Sequence, residues 1–400
     1  LISYAQALDL ISREEFARPG TESLPLESAI GRILAGPIIA DRDYPPFNRS
    51  QMDGYALASQ DFTPGKYFRI ERTVYAGREP GTLHAVPGGC VRIMTGAALP
   101  AGCDAVVRVE DSTADGEIVT FNLNSVMAGQ FVSARGEDLR KGDLALAVGT
   151  AITIPNIMTL ASLGVAQPEV FKPLSIALVT TGDEVISPTE QPLPWQIRNA
   201  SASVLSAFLE TLPVRIVKNQ HVRDDRQALE AVLQNALAAD LVLVTGGVSA
   251  GDADYVPDTL VSLGVEKIFH RVAIKPGKPL FFGRKNETAV FGLPGNPVST
   301  LVCLAVFVRQ HIQQRLGQRT AGTFLSLAQA RTKKHDLTEF IPVALTSVNN
   351  ATTLLPVSLL SSGDILACAR AHGLAVHAAE RKNLAAGEIL EFVPFTAGYA

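Results

Sequence analysis

Several short words in the sequence set lysines, hydroxyls and carboxylates beside glycine or proline, a combination suited to holding an oxyanion or a phosphate. Residues 273–279 read Ala-Ile-Lys-Pro-Gly-Lys-Pro, so two prolines stiffen a loop that carries Lys275 and Lys278. Two ammonium groups at a set separation suit a tetrahedral oxyanion, although a solvated basic turn would contain the same residues. Residues 245–254, Thr-Gly-Gly-Val-Ser-Ala-Gly-Asp-Ala-Asp, follow an apolar run. Gly246 and Gly247 let backbone NH groups come close to an anion, and Ser249 and Asp254 follow within reach. Thr180-Thr181-Gly182-Asp183-Glu184 ends another apolar run, and Phe291–Ser299 places Pro294, Gly295 and Asn296 at a strand–turn–helix junction. Free NH groups at such a helix start can meet an anion. Three further words lie nearer the N-terminus: Ser50–Ala56 with Asp53, Ile93–Ala97 with Thr95, and Arg135–Asp138. Taken singly, each of these also makes an ordinary turn. The acids Asp53, Asp138, Glu184, Asp224 and Asp254 lie far apart in sequence and form one site only if domains converge. In that case oxygen ligands beside lysines suit a hard cation such as magnesium together with an anionic substrate.

The rest of the composition narrows the function classes. No GxGxxG or GxxxxGK[ST] word and no HExxH spacing occurs, so the usual dinucleotide, nucleoside-triphosphate and zinc-protease fingerprints are missing. With 39 acidic and 35 basic residues the formal net charge is −4, which argues against nucleic-acid binding through a general positive field. Cys90, Cys103, Cys303 and Cys368 are scattered, as expected of free thiols in a reducing compartment, and the first residues lack a secretory signal pattern. A cytoplasmic location is therefore expected. The uncharged run Thr288–Val308 is long enough to span a bilayer, but Pro294-Gly295-Asn296-Pro297 cuts it into a strand, a turn and a buried helix. No membrane span is expected.

Four hundred residues, 47% of them hydrophobic, make two or three ordinary domains. Ala5, Leu8, Ile11 and Phe16 recur at roughly helical spacing up to Pro19-Gly20, and a second short helix could lie around Ala29–Leu34. Residues 48–135 alternate short β-branched stretches with Gly and Pro. Among them, Ala105–Glu110 and Glu117–Phe121 suggest a hairpin turning at Asp115-Gly116. This small β unit interrupts other material that resumes at 136–172. From Leu174 the rhythm is strand–helix–strand. Apolar runs at Leu174–Thr180, Val214–Lys218, Leu241–Thr245, Leu280–Phe282 and Ala289–Leu293 alternate with helical patterns over about 201–212 and after Asp224-Asp225. That rhythm predicts a parallel, three-layer α/β domain over about 173–317. Residues 323–400 read as short strands of a small β domain.

Together the words resemble the molybdopterin molybdenumtransferase family, the MoeA and gephyrin E-domain group. The matching segments are MDGYA (52–56), IMTGA (93–97), RGED (135–138), TTGDE (180–184), GGVSAGDADY (246–255), KPGKP (275–279) and GLPGNPVS (292–299). They keep family order over nearly the whole chain. The resemblance implies a multidomain α/β fold with a split elongated domain (1–45 plus 136–172) and an inserted β domain (46–135). A three-layer α/β molybdopterin-binding domain similar to the adenylyltransferases (173–320) and a C-terminal β domain (321–400) complete it. It implies insertion of molybdenum, supplied as molybdate, into adenylylated molybdopterin, with AMP released, molybdenum cofactor formed and magnesium as the cation. It also implies a homodimer with a composite active site, and a molybdopterin adenylyltransferase as pathway partner.

Carried onto this sequence, the resemblance makes Gly246, Gly247 and Ser249 a cradle for the pterin phosphate or AMP. Lys275 and Lys278 become molybdate-binding residues, and Pro294, Gly295, Asn296 and Ser362 further substrate-binding positions. Glu184, Asp224 and Asp254 match acidic positions tied to activity and to the metal, and Asp53, Thr95 and Asp138 match further functional positions. The sequence departs from the family at Asp336-Leu337, where a Gly-Arg pair usually stands, and at Ser133, where an arginine is usual. Asn48-Arg49-Ser50 replaces Asp-Asn-Ser, and Asn199 and Ser201 replace an Asp and an Asn. Two alternatives remain at this point: a molybdopterin adenylyltransferase, and a non-catalytic scaffold of the gephyrin E-domain type.

Overall fold

The run at 174–181 is apolar at nearly every position because it is covered on both faces. It forms strand β1 (Leu174–Thr181) of a six-stranded sheet with β2 (Val214–Val222), β3 (Leu241–Thr245), β4 (Glu266–His270), β5 (Phe281–Lys285) and β6 (Thr288–Leu293). The structure, a computed structural model, describes residues 1–83, 88–249, 255–318, 322–348, 350–359, 361 and 363–396. Strand order is β2-β1-β3-β6-β5-β4. The first four strands are parallel, whereas β5 is antiparallel to both β6 and β4. The sheet is therefore mixed rather than parallel throughout. The turn at Asn286-Glu287 is too short for a crossover, so β5 and β6 can only pair as a hairpin.

Side-chain alternation divides the core into two. Ile176, Leu178, Leu241, Leu243 and Phe291 face one layer, where helices α1 (Ala200–Leu209) and α4 (Pro297–Cys303) bury Leu205, Phe208, Val302 and Cys303. Ala177, Val179, Val242, Val244 and Val290 face the other, against α2 (Arg226–Ala236) and α3 (Val256–Ser262). This is the expected three-layer domain. Strand β4 and helix α3 have no clear signal in the sequence, because Glu266-Lys267 and Pro257-Asp258 mask their apolar patterns. Helix α1 stops at Leu209, three residues short of the expected end, where Glu210 takes the C-cap. No helix is long and apolar enough to cross a membrane among the described residues. The uncharged run instead becomes β6, a turn, and α4 continued by a wide π turn at Leu304–Val308.

The chain divides into two compact units, Leu1–Ala35 with Val148–Ile154 and Gln167–Ala400, and Gly36–Ala147 with Pro155–Ala166. In the first unit, the N-terminal helix Tyr4–Arg13 starts at a capping box. Ser3 Oγ accepts from Gln6 NH, and Gln6 Oε1 accepts from Ser3 NH. The helix expected near Ala29–Leu34 is not formed. Only a single 3-10 turn, Leu26–Ser28, precedes extended chain that bridges Ile33 to Ala151 and Leu34 to Val170. Among the described C-terminal residues, the strands Thr323–Leu327, Thr338–Val348, Ala351–Pro356, Gly373–His377 and Ile389–Pro394 close on themselves, with Thr338–Val348 pairing Gly373–His377, and Arg331–Thr332 pairs separately with Asn383–Leu384. Ile274–Lys275 adds a short parallel strand beside Thr338-Glu339.

The second unit holds a six-stranded sheet in which Gly54–Leu57 runs between Gly89–Ile93 and Ala105–Arg108. The hairpin expected of Ala105–Glu110 with Glu117–Phe121 is instead Ser112–Asp115 with Ile118–Phe121, turning at Gly116-Glu117. A 3-10 turn at Val109–Asp111, held by Arg108 Nε donating to Asp111, breaks the extended run. Ala105–Val107, fully buried, then serves as a central strand. Gly54 in the MDGYA word is there for packing: a Cβ would overlap the Val107 carbonyl oxygen. Gly54→Ala must push two strands apart, because a backbone oxygen has no rotamer to turn to. The expected cost is about 1–3 kcal/mol, read as a lowered Tm in thermal denaturation. An unchanged Tm would show that the strands separate freely.

Candidate active site

The carboxyl ends of β1 and β3 meet with no space for a side chain between them, and the loop after β6 packs alongside in van der Waals contact. A Cβ on Gly246 would lie 2.6 Å from both the carbonyl oxygen and Oγ1 of Thr181, and one on Gly295 would lie 3.6 Å from Gly246 Cα. Gly246 and Gly247 also have φ of +94° and +60°, a region that glycine enters without strain. Hydroxyls tie the third loop down. Thr245 Oγ1 and Thr300 Oγ1 donate to the Pro294 carbonyl at 2.9 and 2.6 Å, and Ser201 Oγ donates to the Gly295 carbonyl at 3.0 Å. Thr181 Oγ1 is buried here without a hydrogen-bond partner among the described residues. An orphaned hydroxyl beside two glycines marks a place where a polar ligand group or water belongs.

Lys275 and Lys278 open onto a cavity of about 530 Å³ that Ser249, Pro294, Gly295 and Asn296 also line. The loop between the lysines is anchored, since Pro276 and Gly277 are buried while both lysines are exposed. A Cβ on Gly277 would meet Cys303 Sγ and Ile274 Cδ1, each at 3.0 Å. The C-terminal β domain supplies the opposite wall with Arg331, Leu337, Glu339 and Phe340. Six substrate positions taken from the sequence thus share one cavity. Sequence reasoning gives Arg331 and Glu339 no role, because no local spacing marks either as facing a cavity. Ser362 and Asp254 lie outside the described residues.

A second, polar cavity of about 760 Å³ lies over the ends of β1 and β2, bordered by Thr180, Asp183, Gln196, Asn199, His221 and Arg223. Asn199 caps α1, with Oδ1 accepting from Ala202 NH at 2.9 Å, and its Nδ2 donates to Thr180 Oγ1 at 2.9 Å. Thr180 Oγ1 stands 3.0 Å from His221 Nδ1 and can donate to it if that nitrogen is unprotonated. Two of the departures from the family, Asn199 and Ser201, therefore have defined jobs at the strand ends. At one edge Asp183 NH donates to Asp224 and Asp224 NH donates back to Asp183, at 3.4 and 3.2 Å. Burial, and then the neighbouring Asp183 and Glu184 carboxylates, raise the Asp224 pKa above the ordinary carboxylate value. Crowded hard oxygens of this kind fit a divalent cation held partly by water and substrate. Among the described residues, however, no three side chains form a complete metal cage.

In the second unit Asp53 and Thr95, 42 residues apart, form a bonded pair. Asp53 Oδ1 accepts from both the NH and the Oγ1 of Thr95 at 2.7 Å. Those two bonds hold the exposed Asp53 carboxyl below its usual pKa, so it stays ionised. Asp138 is not part of that pair. It is exposed on the turn after Arg135, and its NH donates to the Tyr44 carbonyl at 3.1 Å. Arg135 itself bonds Asp43 through Nε at 2.5 Å. Ser133, where the family has an arginine, is buried and accepts from Gln51 Nε2 at 3.3 Å.

Three family models match the chain in order. They are the MoeA N-terminal region (domain I and II) over 2–164, a probable molybdopterin binding domain over 177–314, and the MoeA C-terminal region (domain IV) over 325–395. A protein of Synechocystis sp. named molybdopterin molybdenumtransferase is 33% identical over 98% of this chain and 99% of its own length. One of the same name from Synechococcus elongatus is 36% identical over 84% of this chain and 86% of its own. Among solved structures, a molybdopterin biosynthesis MoeA protein from Pyrococcus horikoshii OT3 superposes with a TM-score of 0.84 at 25% identity. It covers 98% of this chain and all of its own.

The crowding at Asp224 gives a pH prediction with a defined sign. An acid with a raised folded pKa binds more protons folded than unfolded, so its charge erodes stability as pH rises through and above the ordinary carboxylate range. Asp224→Asn keeps an oxygen acceptor for Asp183 NH and removes the charge. Its Tm should exceed wild type near pH 8 and converge with it below pH ~4. A Tm difference independent of pH would show that the carboxylates do not repel one another.

Proposed function

The chain belongs to the molybdopterin molybdenumtransferase family, and we propose that its lysine-lined cavity and the glycine-bearing strand ends beside it bind molybdate and adenylylated molybdopterin. It is an enzyme of molybdenum cofactor biosynthesis that inserts molybdenum and releases AMP. The observation that carries this reading is the cavity itself. Lys275 and Lys278 face the tied-down Pro294–Asn296 loop in a chain whose named relatives match it nearly end to end. Because the relatives span all its domains, neither an adenylyltransferase nor a non-catalytic scaffold is favoured.

Each group has a physical task. Lys275 and Lys278 hold the oxyanion by charge-assisted hydrogen bonds from an anchored loop, so little backbone ordering entropy is lost on binding. Because Gly246 NH already donates to the Leu293 carbonyl at 3.4 Å, the donor proposed for phosphate oxygens is the Gly247 NH, with Gly246 allowing the close approach and Ser249 as an added hydroxyl. Glu184 and Asp224, with Asp254, would hold a magnesium ion. Bound there, that ion would polarise the phosphoanhydride and stabilise charge on the departing AMP. The ionised Asp53, fixed by Thr95, and Asp138 complete the proposed set. We further read the enzyme as a cytoplasmic homodimer with a composite active site, in which the Asp53–Thr95 pair of one chain serves its partner. A molybdopterin adenylyltransferase supplies its substrate.

Incubating the protein with adenylylated molybdopterin, molybdate and magnesium should release AMP and yield active cofactor. Lys275→Ala and Lys278→Ala should each raise the molybdate requirement about ten- to a hundredfold, the size of one lost charge-assisted bond of about 1.5–3 kcal/mol. Asp53→Ala should spare ligand binding and slow turnover. Lysine variants that respond to molybdate like wild type would remove the oxyanion assignment, and absence of AMP release with ligand bound would remove the activity.

A further inference from the structure

The far wall of the lysine cavity contains an unusual group of under-satisfied charges. Arg331, which lines the cavity, donates through one amino group to Glu339 Oε1 at 2.9 Å, while its Nε is buried without a partner among the described residues. Glu339 Oε2, His335 Nδ1 and both ring nitrogens of His377 are buried in the same condition. His377 Nδ1 lies 3.8 Å from Glu339 Oε2 and His335 Nε2 lies 4.0 Å from Glu339 Oε1, both beyond a good hydrogen bond. Lys333, 4% exposed, donates to the carbonyls of Leu337, His377 and Ala378.

Strand register accounts for how these groups meet the lysines. In the sheet, Glu339 pairs with Lys275 on one side and with His377 on the other. Adjacent residues in register project to the same face, so the Arg331–Glu339 pair is carried to the lysine loop by backbone pairing. The charges do not balance. Lys333, behind the wall, is compensated by the nearby Glu339, Glu380 and Asp336 carboxylates, whereas at the cavity itself Arg331, Lys275 and Lys278 stand with the one lining carboxylate of Glu339. Such an excess of positive charge beside a partly enclosed cavity is costly unless an anion joins it.

We infer that Arg331 is a third cation that grips the oxyanion in the Lys275–Lys278 cavity, with Glu339 as the residue that positions its guanidinium. The inference rests on the reading that this cavity takes molybdate. A planar guanidinium with donors in a fixed fork matches two oxygens of a tetrahedral dianion at once, which a lysine cannot do. One arm of the fork is fixed on Glu339, leaving the remaining donors for the ligand.

The test uses the full chain and molybdate alone, by isothermal titration, with each variant's fold checked by circular dichroism and Tm. Arg331→Ala should weaken molybdate binding about tenfold or more, the loss of a charge-assisted contact. Arg331→Lys should recover only part of it. In turnover, Arg331→Ala should raise KM for molybdate and leave KM for adenylylated molybdopterin unchanged, a split that a merely structural role would not give. If Arg331→Ala leaves Glu339 unpaired and the chain fails to fold, the double variant Arg331→Gln, Glu339→Gln removes both charges at similar volume. It should show the same loss. A folded Arg331 variant that binds molybdate like wild type, while Lys275→Ala does not, overturns the inference and leaves the proposed function standing. Wild-type binding by both overturns the two together.

Discussion

The approach of Gly246 to the end of β1 is the constraint on which the site depends. With Thr181 O and Oγ1 each 2.6 Å from where a Cβ would stand, the ends of β1 and β3 can close on one another, with Gly295 of the third loop 3.6 Å from Gly246 Cα. That closeness aims three loops at the same volume. Thr245 and Thr300 then lock the third loop through one shared acceptor, the Pro294 carbonyl. Larger residues would hold the strand ends apart and spread the loops. Rigid strand ends carrying glycine loops are the usual way an open α/β sheet makes a binding site at its carboxyl edge.

The second constraint comes from the C-terminal β domain. Its strand Thr338–Val348 accepts Ile274–Lys275 as a parallel neighbour, so the lysine loop belongs to two domains by hydrogen bonding. The loop between the lysines is then pinned beneath by Cys303 of α4. Anchored from the sheet edge and from the helix, the two ammonium groups are presented by a backbone that is itself buried. Such preorganisation favours binding of a small dianion, because the backbone is already ordered and only the lysine side chains, at about 2 kcal/mol apiece, are left to immobilise.

The strands of the α/β domain are legible in the sequence because Leu174–Thr181 and Leu241–Thr245 are apolar on both faces, as a short strand covered by helices on either side must be. Their loops are legible too, since glycine, hydroxyl and carboxylate directly after such a run fall at the edge of the sheet where ligands bind. Pairing is harder to see. Local pattern joins Glu117–Phe121 to Ala105–Glu110, because nothing nearby in the chain shows that Ala105–Val107 is a central strand while the polar Ser112–Asp115 makes the hairpin. The strand at 266–270 begins with Glu-Lys and is hidden for that reason, although its Phe269 is buried in the core. The Asp53–Thr95 pair likewise depends on a strand pairing that spans about forty residues. Family order suggests it; alternation does not.

Arg331 and Glu339 show most clearly why a site cannot be read from local composition. In sequence they bracket Lys333, Lys334, His335 and Asp336, a charged stretch with no spacing that marks a site. In the fold Lys333 and His377 are buried, and three carbonyls absorb the donors of Lys333, so its charge is structural. The carboxylates of Glu339, Glu380 and Asp336 lie near that ammonium, so the cations left to bias the opening toward anions are those that line it, Arg331, Lys275 and Lys278. The −4 of the whole chain does not oppose this, since exposed charges more than about 10 Å away are screened while those around the cavity are not. Local burial, more than net charge, therefore sets which ligands this acidic protein can hold.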